Sequence, residues 1–164
     1  MRKTIIAVIV MVAALVSSVG AREYKLRVDE DELYYGVVRR ENKGWDVNAV
    51  GDRHLRNKAY GLLQIRAPYL KDVNKIAGKD VMAVWGKSKL TMADMKDPAK
   101  AEWAFHVYLW HYGNYYTKVT GNIPTAKTYA RIHNGGPTGW KDRHTINYAA
   151  AVMAHIIEYR IMRA

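Results

Sequence analysis

Residues 41–65 read ENKGWDVNAVGDRHLRNKAYGLLQI. The stretch opens on a single acid, Glu41, at the end of an amphipathic segment. It then passes through a Gly- and Asn-rich region to Tyr60-Gly61-Leu62-Leu63-Gln64-Ile65. An acid closing a helix, a polar strand-like return and a tight Gly turn ending in Gln is a way to build a cleft with one acid in it. Residues 45–60 have no helical period. Trp45, Val47 and Ala49/Val50 alternate loosely with polar residues, and Gly51-Asp52 reads as a turn. The spacing predicts a small irregular β-hairpin here.

Upstream, Arg22 to Val28 reads as an extended lead-in. Asp29, Glu30, Asp31 and Glu32 place negative charge where a helix N-terminus favours it, and Arg39 and Arg40 suit its last turn. Leu33, Val37 and Glu41 share one face, with Gly44 as the stop. Downstream, Pro68 suits the first turn of a helix running to Gly78, and Val81 to Trp85 reads as a short helix ended by Gly86. Asp97-Pro98 is an N-cap and N1 pair. The helix it starts is apolar on nearly every side to about Tyr112, as a buried central helix is, and Gly113 is its expected end. Another helix follows Pro124-Thr125 and breaks at Asn134-Gly135-Gly136-Pro137. Thr145 reads as the cap of a last helix with Ile146, Ala149/Ala150, Met153 and Ile156/Ile157 inward. The fold class is α+β, predominantly α, in one domain.

The 164 residues suffice for one compact domain. Arg2-Lys3, then an uncharged run from Thr4 to Val19, then Gly20-Ala21, are the three parts of a secretory signal. Residues 1–21 are therefore read as a signal peptide, with a retained signal anchor as the alternative. Residues 22–164 form the mature domain, secreted or periplasmic. The formal charge of +11 becomes +9 when residues 1–21 go, because two basic residues and no acid are lost. A basic exported chain is drawn to anionic cell-envelope polymers. No basic run interleaved with aromatics suggests nucleic acid as a partner. The absence of Cys excludes disulfides, thiol nucleophiles and Cys-based zinc sites. His106 and His111 are five apart and there is no HExxH, so no metal site or cofactor is read.

Glu41 is the candidate general acid. Burial at a helix end removes solvation, raises a carboxyl's pKa and lets it donate a proton near neutrality. Spacing alone leaves a second reading, a solvated helix-end residue paired with Arg39 or Lys43. Glycoside hydrolysis normally uses two carboxylates across a cleft. Asp52, 11 residues on, is the candidate for the second, with Asp46 as rival and an ordinary turn Asp as the plain alternative.

Taken in order, Glu41, Gly51-Asp52, Tyr60-Gly61-Leu62-Leu63-Gln64-Ile65 and Ala130-Arg131-Ile132-His133-Asn134-Gly135-Gly136-Pro137 resemble the lysozyme superfamily. The Glu followed by G-L-x-Q-I is similar to soluble lytic transglycosylases and goose-type lysozymes. The A-R-I-H-N-G-G-P run, followed by Gly139, Thr145 and Tyr148, more closely resembles invertebrate-type lysozymes and their bacterial or phage relatives. The resemblance implies a lysozyme-like fold with a small β lobe, and a muramidase cutting peptidoglycan between N-acetylmuramic acid and N-acetylglucosamine, with a monomer expected. It implies Glu41 as general acid, Asp52 as second acid, and Tyr60, Gly61, Gln64, His133 and Asn134 as substrate-binding residues. A lytic transglycosylase, which needs no second carboxylate, is the alternative chemistry. A non-catalytic cell-wall-binding or membrane-active basic protein is the alternative of another class. The chain departs from the pattern in lacking Cys, in carrying Asn42-Lys43-Gly44 after the Glu where Ser-Gly is usual, and in the distance from Asp52 to Gly61.

Overall fold

Asp29 starts the first helix by accepting a hydrogen bond from the Glu32 amide at 2.9 Å. The computed structural model describes residues 21–164. All but the last residue of the expected export segment, 1–21, lies outside the described residues. Helix α1 (Glu30–Glu41) is followed by three two-residue strands, β1 (Val50–Gly51), β2 (Ala59–Tyr60) and β3 (Ile65–Arg66). These form one antiparallel sheet in the order β1-β2-β3, with Val50 opposite Tyr60 and Tyr60 opposite Ile65. Helices α2 (Ala67–Ile76), α3 (Gly78–Trp85), α4 (Pro98–Thr120), α5 (Ala126–Gly135) and α6 (Thr145–Arg163) complete the fold, with short 3-10 turns at Met92–Lys96 and Gly139–Lys141.

The expected hairpin is thus a three-stranded sheet, and Gly51 belongs to its first strand, not to a turn. The sheet is short because residues 53–58, all exposed and polar apart from Leu55, bury nothing against it. Helix α1 ends before Gly44. Asn42 caps it, and its side chain donates to the Asp46 carbonyl at 2.6 Å and accepts from the Asp46 amide at 3.1 Å.

Helix α4 does not stop at Gly113 but runs to Thr120, where Gly121 takes the left-handed conformation. Gly113 is a point of close approach. A Cβ there would come within 2.5 Å of the Tyr129 ring of α5. The core centres on α4, whose Ala104, Phe105, Val107 and Leu109 are fully buried. Against it lie the Leu33, Val37 and Val38 face of α1 and the lead-in residues Tyr24 and Leu26.

The last helix is turned relative to expectation. Tyr148, Ala149, Val152 and Ile156 face inward, while Ile146 and Ile157 are exposed. The reason is that α6 packs on both α1 and α5, so the inner face follows these neighbours and not the richest apolar stripe. Thr145 is not a cap but the first helical residue. Its buried hydroxyl donates to the Gly139 carbonyl at 2.8 Å and accepts from the Arg131 Nε at 2.9 Å. No helix among the described residues is long and apolar enough to cross a membrane.

Candidate active site

A cleft of about 470 Å³ opens between the sheet and the helices. Glu41, the last residue of α1, projects into it. The sheet contributes Gly51, Asp52, Gln64 and Arg66, α2 contributes Tyr69 and Asp72, and α4 contributes Tyr108. The far wall is the end of α5 and its exit, from His133 to Pro137.

Local chemistry explains how the chain reaches this arrangement. Among the described residues, three outside the glycines take positive φ, namely Trp45 at 56°, Asp52 at 49° and Gln64 at 49°. All three fall between Glu41 and Arg66. Each such conformation is strained by roughly 1–3 kcal/mol, and the surrounding contacts must hold it. Gln64 is held by its own amide, which donates to the Gly61 carbonyl at 2.9 Å. Its side chain then lies where a Cβ on residue 51 would sit, so the first strand needs Gly51. Asp52 is held by an ion pair with Arg66.

Burial pushes the Glu41 carboxyl above its ordinary range, and the nearby Asp52 adds to that. The Tyr148 hydroxyl, Arg40 and Arg66 act in the opposite sense, and burial prevails. Only 21% of the Glu41 side chain is exposed. Of the partners considered for a solvated Glu41, Arg39 is engaged elsewhere: it donates to the Lys43 carbonyl at 3.3 Å and pairs with Glu158 at 3.5 Å. The Tyr148 phenol approaches Glu41 from α6 without a hydrogen bond of full geometry.

His133 Nε2 lies 3.2 Å from the Leu63 carbonyl and 3.9 Å from Glu41 Oε1. A carbonyl only accepts, so Nε2 carries the proton and Nδ1, buried without a partner, is bare. Burial lowers the His133 pKa to about 4, so the ring is neutral at neutral pH and its approach to Glu41 is not an ion pair. The ring is fixed edge-on to Tyr69 and Phe105. Tyr69 in turn stacks on Tyr108 at 3.6 Å between ring centroids.

The sequence-derived residues divide clearly by position. Glu41, Asp52, Gln64, His133 and Asn134 come together at the cleft. Tyr60 and Gly61 do not line it. Tyr60 pairs with Val50 and Ile65 within the sheet. Gly61 packs so closely on the Met95 carbonyl that no Cβ would fit, and its φ is +74°. Asp46 does not line the cleft either. Its backbone is tied to Asn42 and its carboxylate accepts from the Asn48 amide at 2.8 Å. Sequence reasoning missed Arg66, Tyr69, Asp72 and Tyr108. Nothing in their spacing relative to Glu41 signals a shared wall. Tyr148 stood in the quoted run but without a role.

The same overall arrangement occurs in the crystal structure of Tapes japonica lysozyme. The two superpose with a TM-score of 0.59 over 81% of this chain and 92% of that one, at 20% sequence identity. The chain has a lysozyme-like fold. No protein-family model matches its sequence, and no curated protein matches it. The lysozyme-like architecture therefore rests on tertiary structure. Within it, the cleft lies between the small sheet and the helical lobe, with Glu41 at the junction.

Proposed function

We propose that the chain is an exported peptidoglycan glycosidase that cleaves between N-acetylmuramic acid and N-acetylglucosamine, with Glu41 as general acid. The observation that carries this reading is a desolvated carboxyl at the junction of the two lobes of a lysozyme-like cleft. Its raised pKa favours the protonated form, which is the form a general acid needs. The proton goes to the glycosidic oxygen as the bond to the anomeric carbon breaks and positive charge grows on the sugar ring. Asp52, on the sheet side, stabilises that charge or activates the attacking group. Gln64, Asn134 and neutral His133 supply donors and acceptors for hydroxyl and N-acetyl groups. The basic surface favours the anionic wall.

Glu41→Gln keeps the shape and removes the transferable proton. We expect a fall of about 100-fold or more in the rate of clearing purified sacculi, with folding intact. Clearing at near wild-type rate ends the enzyme reading and favours a membrane-active protein.

One observation favours lytic transglycosylation as a second chemistry. An Asp52 oxygen is occupied by Arg66, whereas a transglycosylase draws its nucleophile from the substrate. Mass spectrometry of the muropeptides separates the two. Reducing ends with a large Asp52→Asn defect mean hydrolysis. Anhydro ends with a weak Asp52→Asn defect mean transglycosylation. Asp46→Asn, outside the cleft, is the control.

A further inference from the structure

The cleft wall carries three acids, Glu41, Asp52 and Asp72. Arg66 is the only Arg or Lys that lines it among the described residues. Its side chain is 48% exposed, and its one hydrogen bond among those residues is from Nη2 to Asp52 Oδ2. Its other guanidinium N–H groups make no hydrogen bond among the described residues. Arg66 is also held in place. It ends β3, its backbone forms the N-cap of α2, and it stands next to Ile65, which is 1% exposed. Asp72 is committed elsewhere, since it accepts from the Tyr112 hydroxyl at 2.9 Å.

A fixed, half-exposed guanidinium bound on one side by a carboxylate can accept a second carboxylate on the other. Without it, the carboxylates of Asp52 and Asp72 on the cleft wall would repel an anionic glycan. We propose that Arg66 is a specificity-determining residue that receives a carboxylate of the substrate, so that the cleft takes carboxylate-bearing glycans over neutral ones. This rests on the glycosidase reading above. The carboxylate has two sources in peptidoglycan: the lactyl group itself, when the peptide stem is absent, or the acidic residues of the stem. Chitin-type strands of N-acetylglucosamine have neither.

The test is binding measured calorimetrically on the full mature chain carrying Glu41→Gln, which leaves strands uncut. The ligands are chitooligosaccharide, glycan strands stripped of their peptides, and strands with peptides intact. An acidic strand is expected to bind about five- to tenfold more tightly than chitooligosaccharide, the scale of a half-exposed ion pair. Adding Arg66→Met should abolish that preference while leaving chitooligosaccharide affinity within about twofold. Arg66→Lys, which keeps the cation, should retain most of it. Preference for stripped strands assigns the lactyl carboxylate, and preference restricted to intact strands assigns the stem.

Two results overturn the proposal. One is equal affinity for all three ligands. The other is Arg66→Met weakening all three by the same factor, which is what a purely structural Arg66 gives. Failure of the glycosidase reading is seen separately, as wild-type protein that releases neither reducing nor anhydro ends from any strand.

Discussion

At Glu41, the proposed general acid, the two largest influences on the carboxyl oppose each other. Burial raises the pKa, and the Tyr148 hydroxyl, which favours the carboxylate, lowers it. In the proposed reaction the acid acts in its protonated form, so activity should be lost as pH rises through that raised pKa. Tyr148→Phe removes the opposing influence. The alkaline limb of the kcat profile should move to higher pH, with less than about tenfold loss at the optimum. An unmoved limb means that Tyr148 does not act on Glu41. The same residue scale explains Asn42, one of the departures from the family pattern. Its amide makes the tight return to Asp46, and so turns the chain out of α1 directly after the acid.

At the scale of elements, α4 meets the N-terminus of α1 through a poor electrostatic match. Glu102 of α4 is pushed up to about 7, first by burial and then by Asp31 and Glu30. A carboxyl raised from the ordinary 4.5 stabilises the fold while it is protonated. That contribution is complete below pH 4.5 and is lost as pH rises through about 7. Glu102→Gln should therefore raise the thermal midpoint at pH 8, by an amount equivalent to ~1–3 kcal/mol. At pH 4 the variant and the wild type should melt alike. A pH-independent gap in circular dichroism melts would assign the effect to packing instead. Gly113 shows the converse problem of reading elements from sequence. In a one-dimensional reading it stops a helix, and in the structure it makes room for Tyr129.

For the molecule as a whole, packing among the described residues extends to the lead-in at Arg22. The Arg22 guanidinium lies over the Trp110 ring at 5.4 Å. Tyr24 sits edge-on to Trp103 and Trp110 and donates to Asp80. The proposed cut after Ala21 would leave these contacts intact. The intact mass of protein from the periplasm or medium checks this, and full-length chain in the membrane fraction would point to a retained anchor.

Much of the architecture could be read from the sequence because its cause is local. The Asp29 and Asp97 caps, the Gly86 stop and the apolar face of α1 that ends on Glu41 each depend on residues within a turn or two. Glu41 and Asp52, candidates from the residues themselves, and Gln64, His133 and Asn134, candidates from a resemblance spread over the chain, all line the cleft. What the sequence left open was of longer range. The choice of Asp52 over Asp46 for the cleft, the rotation of α6 and the run of α4 past Gly113 depend on contacts between segments far apart in the chain. So does the pairing of Arg66 with Asp52, which needs β1 and β3 brought into one sheet. Helix caps are satisfied by neighbours in sequence, whereas cleft walls and close approaches are set by whichever elements pack there, and only the tertiary structure decides that.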